Sequence, residues 1–191
     1  PDKYVDLHTI ARECDVITDH TPLTREGKFA TYHLADEEVF KTLQENNPNN
    51  TPSLIINAAR GGIINENALL SHLSQLSNIA IDCWDGEPET NSELRQRALI
   101  ATPHIAGYSA DGKLNATQQV VQAVAIALNI TPNTIEGLSE KKTTDKEGDE
   151  LKDELLNNYN ILADSDALKA EPEKFEYFRS NYPVRRELKI Y

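Results

Sequence analysis

The chain has 191 residues, of which 39% are hydrophobic and 26% are charged, and this suits one full domain, or one domain with a buried core plus an appendage. Its formal net charge of −12 disfavours nucleic acid and anionic membrane surfaces as partners, because both require a basic patch on the protein. No apolar stretch approaches the length of a membrane span.

Strand-like and helix-like patterns alternate along the first two thirds of the chain. Four apolar runs are predicted strands, at residues 15–20, 53–59, 79–84 and 99–102. Three helical patterns accompany them, at residues 35–46, 65–76 and 110–129. Asp36 and Asn65 stand where the N-caps of the first two helices are expected. The alternation predicts an α/β fold in which a parallel sheet is covered by helices on both faces.

The composition changes near residue 132. Residues 136–154 are almost wholly charged or polar, which predicts a solvated linker or an exposed helix within a charged linker at 132–154. Residues 155–191 regain apolar content, and Pro172 is expected to start a helix that carries Phe175 and Phe178. Because this last segment is too small and too charged to bury much core alone, we expect it to pack against a partner.

The two cysteines, Cys14 and Cys83, are far apart in the sequence and match no metal-binding spacing. Both fall in or beside predicted strands, so we expect small buried side chains in a reducing compartment, the cytoplasm, rather than a disulfide. No metal site is predicted. The sequence also lacks methionine and opens close to a predicted strand, so we expect that an N-terminal part of the protein is missing from it.

Polar motifs follow each predicted strand, and in open parallel sheets ligands bind beyond the carboxyl ends of the strands. The motifs are, in chain order, HTPLT (20–24), NAARGG with Arg60, DCWDGEPE with Asp82, Asp85 and Glu87, and TPHIAGYS with His104 and Tyr108. Each could be an ordinary turn or loop by itself. Together they bring an arginine, a carboxylate and a histidine to one edge of one sheet, which favours a functional site.

This trio suits acid–base chemistry on a hydroxy or oxo acid. A guanidinium such as that of Arg60 binds a carboxylate bidentately. A histidine such as His104 can move a proton to or from a hydroxyl, and a carboxylate beside it fixes the orientation of the ring. Because proton transfer alone does not oxidise an alcohol, a hydride acceptor is also needed.

The four motifs, in this order and spacing, resemble the D-isomer-specific 2-hydroxyacid dehydrogenases over residues 10–130. The resemblance implies NAD as cofactor and a Rossmann-type sheet, of which residues 1–109 would form the C-terminal part. It implies that Arg60 binds the substrate carboxylate and that Glu87 pairs with His104, the general acid/base. The cofactor contacts that it implies are Thr21, Ala58, Ala59, Arg60, Asp82 and Gly107.

Two further stretches resemble one branch of that family. HIAGYS followed by DGK is typical of the branch, in which the tyrosine, here Tyr108, contacts substrate. FEYFRSNYPVRREL (175–188) is similar to the end of an extra C-terminal dimerisation module. The branch implies a phosphorylated 2-hydroxy acid as substrate and a homodimer formed through residues 155–191. It also implies that the helix within residues 110–131 returns toward a substrate lobe.

The chain departs from the family pattern at several points. It lacks the GxGxxG turn, and Asp19 stands where relatives commonly carry an apolar residue. Three alternatives therefore stay open. The protein could be another D-2-hydroxyacid dehydrogenase, such as a phosphoglycerate dehydrogenase or a 2-keto acid reductase. It could be an NAD-sensing transcriptional corepressor, or an oligomerisation module on an inactive domain.

Overall fold

Four parallel strands, paired in the order β1-β2-β3-β4, form the main sheet of the protein. The structure, a computed structural model, describes residues 4–45, 54–73, 78–132, 137 and 140–190. Its strands are β1 (Val16–Asp19), β2 (Leu54–Asn57), β3 (Asn78–Ile81), β4 (Ile100–Ala101), β5 (Thr143–Thr144) and β6 (Lys189–Ile190). Its helices are α1 (Leu7–Glu13), α2 (Glu37–Glu45), α3 (Glu66–His72), α4 (Ser92–Arg97), α5 (Ala110–Leu128), α6 (Gly148–Asn158), α7 (Ile161–Ala170) and α8 (Phe175–Ser180).

The predicted α/β arrangement is confirmed, and so are its four strands. In the parallel register Asp19 pairs with Asn57, and Asn57 pairs with Ile81. Strands β3 and β4 continue the same direction through the pairs Ala80–Ile100 and Ile81–Ala101. The first three strands therefore end level, and the chain leaves all four at the same edge of the sheet.

The described chain divides into two compact units. The first contains the chain up to His104 together with Leu162–Asn181. The second contains Ile105–Ile161 and the chain from Tyr182 onward. The segment Leu162–Asn181, which lies within the predicted dimerisation module, thus groups with the sheet.

Helix caps follow the sequence closely where a side chain can satisfy the first-turn amides. Asp36 Oδ1 accepts hydrogen bonds from the backbone N–H groups of Glu38 (3.1 Å) and Val39 (3.2 Å), and Asn65 Oδ1 accepts one from Ala68 (3.1 Å).

Helices α1, α4 and α7 were not predicted. The first two are only seven and six residues long, too short to show an amphipathic period, and the side chains of Asp6 and Asn91 cap them.

The core of the first unit lies between the sheet and its helices. Its largest fully buried side chains include Phe40 of α2, Leu69 of α3 and Ile55 of β2. Leu168 and Phe175, from the segment Leu162–Asn181, belong to the same cluster. A 3₁₀ turn at Pro172–Lys174 leads into α8, as the proline predicted. Leu73, just after α3, is also buried, and the rest of the predicted helix 65–76 lies outside the described residues.

The prediction that both cysteines are buried is wrong for Cys14. Cys83 is buried in the loop that follows β3, but Cys14 is exposed. Cys14 occupies the C-cap of α1, where its backbone N–H bonds to Ile10. It therefore precedes β1 and takes no part in the alternation that buries Ile17.

The second unit is built around α5, which confirms the predicted helix at 110–129. Ser109 caps it by accepting a hydrogen bond from Gly112 (2.8 Å), and Asn129 closes it in the left-handed conformation. Helix α6 lies where the charged composition allowed an exposed helix, and β5 pairs with β6 in parallel. No helix within the described part of the chain is long and apolar enough to cross a membrane.

Asp19 is a buried carboxyl at the last position of β1. Asp19 is only 6% exposed, and its Oδ2 has no hydrogen-bond partner among the described residues. Burial raises the pKa of Asp19 from 3.8 to about 6. The folded state therefore binds more protons than the unfolded state between these values, so the free energy of unfolding falls as pH rises through this range.

We expect Asp19→Asn to raise the free energy of unfolding at pH 8 by about 1–3 kcal/mol. The asparagine side chain has nearly the same shape as that of aspartate but carries no charge that burial would desolvate. The gain should shrink at pH 4, where Asp19 is protonated in the folded state. Urea unfolding at both pH values measures this. Asp15→Asn, at an exposed position just before the same strand, is the control and should change little. An equal gain at both pH values would contradict the explanation.

Candidate active site

The buried side chain of Asn57 joins the loops that follow β2 and β3. Its Nδ2 donates to the carbonyl oxygens of Arg60 (3.1 Å) and Cys83 (3.1 Å). Its Oδ1 accepts a hydrogen bond from the backbone N–H of Ala59 (3.2 Å). The sequence reasoning did not single out Asn57, although it is the first residue of the NAARGG motif. One amide thus fixes the start of both loops at the carboxyl edge.

The same two loops touch at Gly61. A Cβ added there would lie 1.8 Å from the carbonyl oxygen of Trp84 and 2.4 Å from its carbonyl carbon. Because both are backbone atoms, no side-chain rotation could relieve the overlap. The first glycine of the RGG sequence is therefore required by close backbone packing rather than by an unusual φ.

Asp82 links the loop after β3 to the chain that follows β4. Its Oδ1 accepts a hydrogen bond from the hydroxyl of Thr102 (2.7 Å), and its carbonyl oxygen accepts one from the N–H of His104 (2.9 Å). The indole N–H of Trp84 donates to the carbonyl oxygen of Thr102 (2.9 Å). These bonds hold the segment that carries His104 beside the loop that carries Glu87.

Glu87 and His104 form a direct pair. Glu87 Oε2 lies 2.8 Å from His104 Nδ1, while Oε1 accepts the backbone N–H of Trp84 (2.7 Å). Because an ionised carboxylate only accepts hydrogen bonds, Nδ1 must carry the proton of a neutral ring, and Nε2 then presents a lone pair. The two side chains are 18% and 22% exposed, so the pair is largely shielded but reachable.

His104 itself has a left-handed backbone, with φ of 57°. For a residue other than glycine this conformation costs about 1–3 kcal/mol and persists only where its surroundings impose it. Here the backbone bond to Asp82 and the side-chain bond to Glu87 hold the residue from both sides. The sequence TPHIA gave no sign of this strained turn.

Arg60 and the expected cofactor contacts of the first unit follow strands that end at the same edge. Arg60 is exposed, and its Nη1 donates to the carbonyl oxygen of Ala59 (2.6 Å). Ala59 is buried and Ala58 half-buried. The Oγ1 of Thr21 is buried without a hydrogen-bond partner in the part of the chain that the structure describes. A buried hydroxyl without a partner fits a bound polar ligand, which supports a cofactor at this position.

Two further acidic residues, Glu66 and Asp85, lie near Glu87. Glu66 Oε1 accepts a hydrogen bond from the backbone N–H of Asp85 (2.8 Å). Burial raises the pKa of Glu66 to about 7, and the nearby charges of Asp85 and Glu87 add to the rise. Burial likewise raises the pKa of the Cys83 thiol well above its ordinary value. The loop from Trp84 to Glu87 is held at two consecutive backbone amides. The N–H of Trp84 donates to Glu87, and the N–H of Asp85 donates to Glu66.

Gly107 and Tyr108, the remaining predicted site residues, belong to the second unit. Gly107 is exposed. The ring of Tyr108 lies 5.0 Å from that of Tyr182, and the ammonium of Lys113 lies 4.9 Å from the Tyr108 ring centroid. A tilted aromatic contact and cation–π attraction thus fix this tyrosine within its own unit.

The C-terminal segment also binds the loop that precedes α5, a contact that the sequence reasoning missed. Arg185 donates from Nη2 to the carbonyl oxygens of Ile105 (2.6 Å) and Ala106 (2.8 Å). Arg186 pairs with Asp111, whose pKa is lowered to about 2 chiefly by that hydrogen bond. The sequence signal for this contact was the pair of arginines in VRREL, because two neighbouring guanidinium groups need hydrogen-bond acceptors.

We expect Gly61→Ala to lower the free energy of unfolding by about 3 kcal/mol or more, since the added methyl group overlaps backbone atoms. Thermal unfolding or urea unfolding measures the loss. Gly107→Ala is the matched control, because a Cβ there would meet nothing within 4 Å. If both variants were equally stable, the close approach of the two loops would be wrong.

Comparison with known proteins identifies the family of the chain. The family model described as D-isomer specific 2-hydroxyacid dehydrogenase, NAD binding domain, matches residues 1–106. An erythronate-4-phosphate dehydrogenase of Bacteroides thetaiotaomicron is 42% identical over 190 residues, which make up 98% of this chain and 53% of that protein. The chain thus spans about half the length of the curated relatives that it matches.

Two solved structures share the fold. The apo D-mandelate dehydrogenase of Rhodotorula graminis is 27% identical with a TM-score of 0.52, and the match covers 64% of this chain and 33% of that one. The D-lactate dehydrogenase of Aquifex aeolicus, complexed with NAD and lactic acid, is 25% identical with a TM-score of 0.52, covering 66% and 41%. The α/β sheet described here is that of a Rossmann-type NAD-binding domain, and the chain belongs to the D-isomer specific 2-hydroxyacid dehydrogenases.

Proposed function

We propose that the protein containing this chain oxidises 4-phospho-D-erythronate at C2 to 2-oxo-3-hydroxy-4-phosphobutanoate, with NAD as the oxidant, in the synthesis of pyridoxal 5′-phosphate. The observation that carries the proposal is the Glu87–His104 pair at the carboxyl edge of the sheet, at 2.8 Å. The substrate is taken from the relatives, since several erythronate-4-phosphate dehydrogenases are 33–42% identical to nearly the whole chain.

His104 is the general base of the proposed reaction. Its Nε2 removes the proton of the C2 hydroxyl, because Nδ1 is engaged by Glu87. The imidazolium that forms is stabilised by the Glu87 carboxylate, which is itself held by the backbone N–H of Trp84 (2.7 Å). Glu87 therefore serves both to select the tautomer and to balance the charge that develops.

NAD, when bound, accepts the hydride from C2 of the substrate. The residues of the first unit that would hold it are Thr21, Ala58, Ala59, Arg60 and Asp82. The orphaned hydroxyl of Thr21 is the clearest fit, because it offers a buried donor and acceptor to a polar ligand. Gly107 is the remaining cofactor contact that the family resemblance implies.

Arg60 is the proposed anchor of the substrate carboxylate. Its guanidinium carries five N–H donors in a planar fork, and a carboxylate accepts two of them side by side. The positive charge would also stabilise the oxygen of the developing 2-oxo group. Tyr108 is the proposed second contact with substrate, from the aromatic group that it forms with Tyr182 and Lys113.

A homodimer formed through residues 155–191 is part of the proposal. Several apolar side chains of this segment are exposed in the single chain, as an interface would require. They are Leu155, Leu162, Tyr177, Val184 and Ile190.

The test is reduced-nicotinamide formation by the full-length protein with NAD and 4-phospho-D-erythronate. We expect His104→Ala to lower kcat by about 10²–10⁴-fold, the usual contribution of a general acid/base. His72→Gln is the matched control. His72 Nε2 also pairs with a glutamate, Glu37, at 2.7 Å, but it sits between α2 and α3 rather than at the strand ends. Its turnover should match the wild type.

Other outcomes separate the alternatives. Turnover with D-lactate or 3-phosphoglycerate, and none with 4-phospho-D-erythronate, would indicate another 2-hydroxyacid dehydrogenase. NAD binding without turnover of any of these acids would favour the corepressor. Full activity of His104→Ala would contradict the role given to His104.

A further inference from the structure

A cysteine lies beside the Glu87–His104 pair. One ligand atom from each of Cys83, Glu87 and His104 lies within 4.8 Å of the other two. These residues come from two loops, and they meet because β3 and β4 end at the same edge. No spacing in the sequence predicted a metal site, since the residues are brought together only by the parallel register.

The three side chains form a donor set that zinc(II) prefers. Thiolate, imidazole and carboxylate are its usual protein ligands, whereas magnesium and calcium ions require oxygen donors alone. Tetrahedral zinc bonds of about 2.0–2.3 Å place ligand atoms about 3.3–3.6 Å apart. Small rotations of Glu87 and His104, which are only partly buried, would close the difference.

The charges of this set also suit a divalent ion. Cys83 as thiolate and Glu87 as carboxylate would neutralise the two positive charges, which matters at a shielded site. Cys83 is 1% exposed, and its thiol donates to Asp82 Oδ2 at 3.8 Å, so the sulfur already has a fixed orientation. An ion would enter from the side of Glu87 and His104, whose side chains are exposed in part.

We propose that Cys83, Glu87 and His104 form an inhibitory zinc(II) site that takes up the acid/base pair of the enzyme. Binding releases the thiol proton to solvent and leaves a fourth coordination position for water. Whichever imidazole nitrogen binds the ion, the other nitrogen carries the proton of the neutral ring, so His104 has no lone pair left to accept the substrate proton while zinc is bound. The inhibitory consequence rests on the proposed function, whereas the binding of zinc does not.

Cobalt(II) titration of the reduced protein tests the site directly, because cobalt replaces zinc in tetrahedral sites and its thiolate bond absorbs light. We expect one equivalent to give a thiolate-to-cobalt charge-transfer band together with the visible absorption of a tetrahedral ion. Added zinc should remove both. Competition with a chromophoric chelator then gives the zinc affinity.

Variants identify the ligands. Cys83→Ala and Cys83→Ser should each abolish the charge-transfer band and weaken zinc binding at least about tenfold, the loss that even outer-shell changes produce. Cys14→Ala is the matched control, because it removes the exposed cysteine and should leave the band intact. Glu87→Gln should weaken zinc binding while it keeps the band. Circular dichroism checks that each variant is folded.

Two results would overturn the proposal: a protein that shows no charge-transfer band, and a band that survives in folded Cys83 variants. For inhibition, activity with and without zinc is compared within each protein. Half-inhibition should need at least about tenfold more zinc in Cys83→Ala than in the wild type. Equal sensitivity would contradict inhibition at this site. If no 2-hydroxy acid is turned over but the band depends on Cys83, the proposed function fails while the metal site stands.

Discussion

The buried amide of Asn57 is the interaction on which the candidate site depends. At the end of β2 it bonds to the backbone of Ala59 and Arg60 in its own loop and of Cys83 in the next loop. A buried amide satisfied on both its nitrogen and its oxygen has few alternative arrangements of similar energy. The positions of Arg60 and of the Cys83–Glu87 loop are thereby fixed relative to the sheet before any ligand arrives.

Charge is concentrated on this rigid frame. Glu87 and Glu66 accept the backbone N–H groups of Trp84 and Asp85, two consecutive amides of one tight loop. The loop therefore presents Glu87 to His104 in a set direction, and the strained backbone of His104 turns the imidazole toward it. Preorganisation of this kind is what a proton-transfer site requires, because no reorganisation is then needed during the reaction. The same proximity places the thiol of Cys83 where a soft metal ion could compete.

The sequence predicted the features that depend on local pattern. Alternating apolar runs located the four strands, and because parallel strands end at one edge, an arginine, a carboxylate and a histidine were expected at that edge. The choice of Glu87 as the partner of His104 was implied by the family resemblance. The short helix α1 was missed since it has too few residues for a period, and its presence left Cys14 exposed. The packing of Phe175 into the first unit and the need for glycine at position 61 are contacts between residues far apart in the chain, which no local pattern records.

The orientation of the His104 ring is the most direct measure of the central claim, that Glu87 holds Nδ1–H and leaves Nε2 to act on substrate. Nitrogen-15 NMR of the labelled protein, recorded where the ring is neutral, assigns the proton to one nitrogen. The structure predicts a protonated Nδ1 and an unprotonated Nε2, with a shift toward the other tautomer in Glu87→Ala. A wild-type ring protonated at Nε2, or one unaffected by the loss of Glu87, would contradict the proposed site.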